Sequence, residues 1–260
     1  MPEALDWLPE VVVLSCEHGG HEVPAAYAAL FRGARDELRS HRGWDPGALG
    51  VARRMAERTS WPLIACTFTR LLVEPNRSPD SPQLFSAYTR RLGQADRQAL
   101  LSGFYHRHRG SVERTVLDAV RAGRRVLHVA VHTCVDELDG RRRALEVGLL
   151  MDPSRPAELG VCRAWRRALA ELEPAWRLPF NEPYLGTDDG LTTWLRTRLP
   201  TEAYAGVEVE VRQGLVARRR DQRAVGDRLA ESLGRVLGDR PACSTGPAQP
   251  IDPLGPARDA

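Results

Sequence analysis

The sequence VVVLSCEHGGHEVP, residues 11–24, joins an apolar run directly to a cluster of histidines, carboxylates and glycines. The β-branched run is typical of a buried strand, because it is too short for a helix. The two glycines and Pro24 cannot continue that strand. His18 is therefore predicted at the carboxyl end of a buried strand, which is where open α/β sheets bind their ligands. The alternative is a turn that only happens to contain a histidine.

A second Val-rich segment, residues 125–134, also ends in histidine. His128 and His132 are four residues apart, so they share one face of the predicted strand. His132 stands at the carboxyl end, as His18 does, whereas His128 lies deeper and is interpreted as a core residue. If the two strands are neighbours in one sheet, His18 and His132 could bind the same zinc ion.

Asp45 lies in the polar loop His-Arg-Gly-Trp-Asp-Pro-Gly-Ala, residues 41–48. A residue before proline is pushed out of the helical region, and proline suits the first helical turn. Asp45 is thus either the N-cap of a helix over residues 46–58 or a carboxylate that faces a site. The sequence does not decide between these two roles.

The segment TRLLVEPNRS, residues 69–78, ends in residues suited to anion binding. Arg70 and Arg77, with Asn76 between them, could hold a substrate carboxylate, since guanidinium donors match its two oxygens. The alternative is that one of these arginines pairs with Glu74.

Apolar and charged residues alternate over residues 205–214, as in a strand with one polar face. Glu208, Glu210 and Arg212 share that face. The strand is either an exposed edge or the lining of a cleft, in which Glu210 could act as a general base.

The remaining patterns indicate one α/β domain over residues 1–240 and a disordered tail over 241–260. They predict helices over residues 25–38, 105–122, 157–172 and 221–237, and strands over 63–68 and 146–151. A net charge of +3 is too small to indicate nucleic-acid binding, and no apolar run is long enough for a membrane span. The five cysteines lack CxxC spacing, which fits a reducing, cytoplasmic location.

Five short motifs together resemble the N-formylglutamate amidohydrolase family. They are CEHGG at 16–20 with Val23 and Pro24, WDPGA at 44–48, RLLVEPNR at 70–77, VAVHT at 129–133 and EVRQ at 210–213. The resemblance implies a phosphorylase/hydrolase-like α/β fold related to zinc carboxypeptidases, a three-layer sandwich with a mixed central sheet. It also implies metal-dependent cleavage of an N-formyl or other N-acyl amino acid, such as N-formylglutamate.

The resemblance further implies roles for single residues. His18, Asp45 and His132 would bind Zn²⁺ or another divalent transition metal, and Glu210 would be the catalytic base. Arg70, Asn76, Arg77 and Arg212 would bind carboxylates of a small acidic N-acyl amino acid. His21 and Glu22 compete with Asp45, because related carboxypeptidase-type sites carry a glutamate three residues after the first histidine. Here that position is His21, and Glu22 follows it.

Two other functions remain open at this point. One is a different amidase or deacylase on the same scaffold, since a fold does not determine its substrate. The other is a non-catalytic binding protein without metal. Metal analysis would separate this last function from the other two.

Overall fold

The computed structural model describes residues 7–238, and a five-stranded sheet forms its centre. Its strands are β1 Val11–Cys16, β2 Leu63–Ala65, β3 Val126–Cys134, β6 Val147–Leu150 and β7 Tyr204–Arg212. A separate hairpin consists of β4 Glu137–Leu138 and β5 Arg141–Arg142. The order across the large sheet is β2-β1-β3-β7-β6.

The sheet is mixed, as predicted. β1 pairs in parallel with β2 and β3, and β3 pairs in parallel with β7, whereas β6 runs antiparallel to β7. All nine residues of β3 are buried, as expected for a strand covered on both faces. The carboxyl ends of β1, β3 and β7 therefore lie at the same edge of the sheet.

Helices cover both faces of the sheet and complete the three layers. The α-helices are α1 Arg35–Arg39, α2 Ala48–Thr59, α3 Gln94–Leu100, α4 His106–Arg121, α5 Pro156–Leu172, α6 Leu191–Arg196 and α7 Arg219–Leu237. Side chains from α2, α5 and α7 pack with Leu14 in the larger core. Side chains from α4 and α6 pack with Val13 in a core on the opposite face. Successive side chains of β1 point to opposite faces of the sheet, so neighbouring residues enter different cores, and a layer of helices covers each face.

A third apolar cluster supports the long connection between β2 and α4. It includes Phe31, Phe68, Leu72 and Phe104, which are all buried. This cluster anchors the segment that carries Arg70 and Glu74, so the position of these side chains does not depend on the sheet alone.

Several predicted element boundaries were wrong. The helix predicted over 25–38 is a 3₁₀-helix Ala25–Phe31 followed by α1, because Gly33 (φ 80°) interrupts it. The strand predicted over 63–68 ends at Ala65. One turn of π-helix, Leu101–Tyr105, precedes α4, and a 3₁₀-helix, Gln213–Leu215, follows β7. β7 is not an exposed edge, since it lies between β3 and β6.

The prediction of one domain over residues 1–240 stays a prediction, and the tail predicted over 241–260 lies outside the described residues. Between residues 7 and 238, no helix combines the length and apolar character needed to cross a bilayer.

Candidate active site

His18 and His132 meet at the carboxyl edge of the sheet. β1 and β3 are adjacent and parallel; His18 follows the end of β1, and His132 lies near the end of β3. Their ring centroids are 5.1 Å apart, and both side chains are buried. The condition set by the sequence, that the two strands be neighbours, is met.

Asp45 brings a carboxylate between the two imidazoles. Its Oδ2 lies 3.2 Å from Nδ1 of His18 and 3.0 Å from Nδ1 of His132. The Asp45 backbone N–H donates to the His18 carbonyl at 2.9 Å, which fixes the loop to the end of β1. These contacts place the carboxylate inside the cluster.

The capping role considered for Asp45 is wrong. Helix α2 begins at Ala48, and its N-cap is Gly47, which makes no side-chain cap bond. Gly47 has a φ of 92°, a left-handed conformation that glycine adopts without strain. Because this residue turns the chain after Pro46, the Asp45 side chain points to the histidines and leaves the helix terminus.

Glu74 faces the other side of the His18 ring. Its Oε1 lies 2.5 Å from Nε2 of His18, and its Oε2 lies 3.0 Å from Nε of Arg70. Burial raises the pKa of Glu74, but Arg70 and His18 outweigh burial and hold this pKa well below its usual range. Arg70 also contacts the His18 ring and pairs with Asp45 at 3.5 Å. Arg70 thus pairs with Glu74, as the alternative to substrate binding had it. The Arg70 side chain nevertheless lines the pocket.

Glu17 occupies the matching position behind His132. Its Oε2 lies 3.3 Å from Nε2 of His132, and its Oε1 lies 3.8 Å from Nε2 of His108. The side chain is completely buried; burial raises its pKa, but His108 and His132 hold that pKa well below the usual range. Glu17 was not among the predicted site residues, although it stands directly before His18. Each histidine thus presents Nδ1 to Asp45 and Nε2 to a second carboxylate.

The donor set fits a divalent transition metal. One atom each from His18, Asp45 and His132 lie within 4.8 Å of one another. Ligands about 2.0–2.1 Å from a tetrahedral zinc are roughly 3.3 Å apart, close to the 3.0 and 3.2 Å separations measured here. Nε2 of each histidine faces a carboxylate, which leaves Nδ1 as the ligand atom. Two imidazoles and a carboxylate form a common catalytic zinc set, and a carboxylate behind the imidazole is its usual support.

The rival ligands lie outside this cluster. The His21 ring packs against Trp44, with centroids 4.9 Å apart. The Glu22 carboxylate accepts a hydrogen bond from the Thr67 hydroxyl at 2.9 Å. A Cβ on Gly20 would lie 2.1 Å from the Thr67 carbonyl oxygen, so the close approach of these two segments requires glycine. This packing turns residues 21 and 22 away from His18.

Glu210 lies opposite His132 in the β3–β7 register. The side chain is buried, and its Oε2 has no hydrogen-bond partner within residues 7–238. Burial raises the pKa of Glu210 to about 8, with Asp45 adding to the rise and His132 opposing it. A carboxyl group beside the candidate metal ligands that titrates near neutral pH is suited to proton transfer.

These groups open into a cavity of about 180 Å³. Arg70, Asn76 and Arg77 line it, and their role in substrate binding stays a prediction. Asn76 Oδ1 accepts from the Leu191 N–H at 2.7 Å, so this amide also fixes the start of α6.

Arg212 is not among the residues that line the cavity. Its guanidinium pairs with Asp136 at 3.1 Å and Glu146 at 3.3 Å, and its binding role stays a prediction. Arg143 and Tyr184 also lie in the lining, although neither was among the predicted site residues. The Asp139-Gly140 pair before Arg143 was the available signal, since this dipeptide favours a hairpin turn.

Comparison with known proteins gives a consistent assignment. The profile of the N-formylglutamate amidohydrolase family matches residues 11–217. The structure of a gene product from Agrobacterium tumefaciens is 32% identical, covers 88% of this chain and 90% of its own, and superposes with a TM-score of 0.76.

An N-formylglutamate amidohydrolase from Ralstonia eutropha JMP134 has the same fold. It is 19% identical, covers 92% of this chain and 96% of its own, and has a TM-score of 0.67. No curated protein matches the chain. The family match covers the whole sheet and every candidate site residue, and the chain therefore belongs to the N-formylglutamate amidohydrolase family.

Proposed function

We propose that this amidohydrolase cleaves N-formyl or other N-acyl amino acids and depends on a divalent transition metal, with zinc as the first candidate. The observation that supports this proposal best is the arrangement of the two histidines. Nδ1 of each faces Asp45, and Nε2 of each faces a second carboxylate. Such carboxylate–imidazole pairs orient metal-bound histidines in other proteins and raise their basicity.

His18, Asp45 and His132 would hold the metal in this proposal. Glu17, Asp45 and Glu74 are three carboxylates around them, and their pKa values are held below the usual range by Arg70 and by the imidazoles that they face. A divalent cation held by the two imidazoles would supply the positive charge that these carboxylates need, in place of protons on the rings, since buried charges require partners. When bound, zinc supplies Lewis acidity towards the acyl carbonyl and lowers the pKa of a water molecule to about 7.

Glu210 would move the proton in the reaction. Its ionised form, which a cation at the adjacent ligands would favour, takes a proton from the attacking water, whose oxygen forms a bond to the acyl carbon. Glu210 then gives this proton to the amide nitrogen as the carbon–nitrogen bond breaks. The products are the free amino acid and the acyl acid, which is formate for a formyl substrate. The unpartnered Oε2 of Glu210 is free to take this proton.

Metal content and amine release test the metal assignment together. Purified wild type, His18→Ala and His132→Ala are analysed for bound metal, while release of free amine from N-formyl amino acids is measured. We expect both variants to lose metal and activity while their circular dichroism spectra stay unchanged. His21→Ala is the matched control and keeps both properties, since His21 packs on Trp44. Equal metal content in His132→Ala and wild type would overturn the ligand assignment.

Glu210→Gln tests the role of the base. The variant should keep its metal but lose turnover by at least about 100-fold, since general-base catalysis typically contributes this much or more. Glu137→Gln removes an exposed carboxylate from the hairpin and serves as the control. Near-normal turnover in Glu210→Gln would exclude this residue as the base.

A further inference from the structure

Three exposed apolar side chains lie together in the otherwise polar lining of the active-site cavity. Leu138, Tyr184 and Leu185 are 41%, 45% and 56% exposed, and these are the exposed large hydrophobic side chains found among residues 7–238. All three line the same cavity. Single exposed apolar residues need no explanation, but a group of them at one pocket indicates contact with an apolar ligand. We refer to these three residues as the apolar rim.

Ordered elements present the apolar rim to the cavity. Leu138 belongs to β4 of the hairpin, and Tyr184 and Leu185 follow β6 and α5 in the loop over residues 181–190. Asn181 Oδ1 accepts hydrogen bonds from the Met151 N–H at 3.0 Å and the Gly186 N–H at 3.1 Å, which holds this loop against the sheet.

Two of the three arginines that line the cavity are already engaged. Arg70 is paired with Asp45 and Glu74. Arg77 donates to the carbonyl oxygens of Asp189 and Asn76, at 2.6 and 3.3 Å, and to the Gln83 side chain at 3.2 Å. A substrate carboxylate at Arg70, or at Nε and Nη1 of Arg77, would compete with these partners.

Arg143 is the third arginine of the lining, and its described contacts are with Tyr184 and Cys134. Its Nη2 donates to the Tyr184 hydroxyl at 2.9 Å, and its guanidinium carbon lies 4.9 Å from the centre of that ring. Its Nη1 is buried and, within residues 7–238, has no hydrogen-bond partner other than the adjacent Cys134 thiol. The adjacent Cys134 thiol is a weak acceptor, because burial raises its pKa to about 12 and keeps it neutral. The Tyr184 hydroxyl accepts from Arg143 and can still donate its own proton.

The remaining charges at the mouth are negative. Asp188 and Asp189 line the cavity and are exposed. Asp189 accepts from the Ser78 N–H at 3.0 Å, and Asp188 accepts from the Leu185 N–H at 3.1 Å, so both carboxylates are fixed by backbone donors. A second carboxylate on a substrate would therefore meet like charges, which is unfavourable at short range.

We propose that the substrates are N-acyl derivatives of apolar amino acids with a single carboxylate. Arg143 and the Tyr184 hydroxyl bind that carboxylate, and Leu138 and Leu185 of the apolar rim contact the amino-acid side chain. This inference rests on the proposed N-acyl amino acid hydrolysis, and it differs from a preference for N-formylglutamate.

Substrate comparison tests the inference directly. Zinc-loaded enzyme is assayed with N-formyl-L-leucine, N-formyl-L-glutamate and N-formylglycine. We expect kcat/KM for the leucine derivative to exceed the other two by at least about tenfold, the discrimination typical of a small apolar subsite. A preference for the glutamate derivative would overturn the inference and leave the proposed function intact.

Calorimetric binding to Glu210→Gln separates the two proposals. The leucine derivative should bind this variant at least about tenfold more tightly than the glutamate derivative. Tighter binding of the leucine derivative without turnover by wild type would overturn the proposed function, and with it the claim that these compounds are substrates, while the preference of the cavity for an apolar side chain would stand. Equal binding of both derivatives would overturn the inference, whatever the turnover.

Variants of the rim and of Arg143 identify the contacts. Arg143→Gln should lower kcat/KM for N-formyl-L-leucine at least about tenfold, and that for N-formyl-L-leucinamide less than about twofold, since the amide lacks the charge. Arg142→Gln, on the exposed hairpin strand, removes the same charge and should change neither value by more than about twofold. Leu185→Asn should reduce the preference for leucine over glycine. Equal losses for acid and amide in Arg143→Gln would contradict carboxylate binding there.

Discussion

His128→Gln tests whether His128, the deeper histidine of β3, is a neutral core residue that makes stability depend on pH. His128 is completely buried; its Nε2 lies 2.7 Å from the Ser15 hydroxyl, and its Nδ1 lies 3.0 Å from the Tyr204 hydroxyl. Burial lowers the pKa of His128 from its ordinary value of 6.5 to about 4. Between these two pH values the unfolded chain binds a proton that the folded protein does not, so stability falls as the pH falls.

The size of this effect follows from the two pKa values. The difference between 6.5 and about 4 corresponds to about 3 kcal/mol, because one pKa unit is worth 1.36 kcal/mol. Wild type should therefore lose about 3 kcal/mol more stability than His128→Gln between pH 7 and pH 4. Urea unfolding of the metal-free proteins at both pH values measures the change in unfolding free energy for each protein. Comparing this change between wild type and variant cancels the titration of groups that both proteins share.

Metal content provides the functional half of the experiment. His128→Gln should bind metal as wild type does, because His128 bonds to core hydroxyl groups and is not among the residues of the metal cluster. A pH dependence identical in wild type and variant would refute the assignment of a neutral, buried His128. Loss of metal from His128→Gln but not from wild type would show that metal binding depends on the hydrogen bonds of His128 in the core.

Two further predictions concern the support of the site and of the fold. Glu17→Gln should weaken zinc affinity by about 10–100-fold, measured by competition with a chromophoric chelator, because its carboxylate faces His132; unchanged affinity would exclude that supporting role. Trp165→Ala should lower the free energy of unfolding by about 3–5 kcal/mol, since the ring is completely buried and its N–H donates to Ser232 at 2.9 Å. Urea titration measures this cost, and a value below about 1 kcal/mol would contradict the packing.

The central strands could be predicted because their composition reflects burial on both faces. β1 and β3 are rich in β-branched residues, and both occupy the middle of the sheet. The alternation in β7 predicted correctly which residues share a face, but it does not show whether that face is covered. Glu210 is buried although it lines the cavity, and this burial depends on distant residues, since β3 and β6 flank its strand.

The candidate site could be predicted only where a residue type was already diagnostic. His18 and His132 could be predicted as ligands because each stands at the end of an apolar strand. The role of Asp45, in contrast, depends on the conformation of Gly47. Glu74 lies 56 positions from its partner His18, so no local pattern could join them. The hairpin was missed because its strands are two residues long and charged, although its Asp-Gly turn has the positive φ values that this dipeptide favours.

The position of His132 opposite Glu210 on adjacent strands has a consequence for variation in this protein. Hydrogen-bonded strands lie about 4.8 Å apart whatever their side chains, so the backbone ladder itself sets the distance between these two groups. Their preorganisation is therefore independent of how well the outer helices pack. Substitutions in α5 or α7 that destabilise the protein should reduce the fraction of active molecules, while the turnover of each folded molecule stays the same.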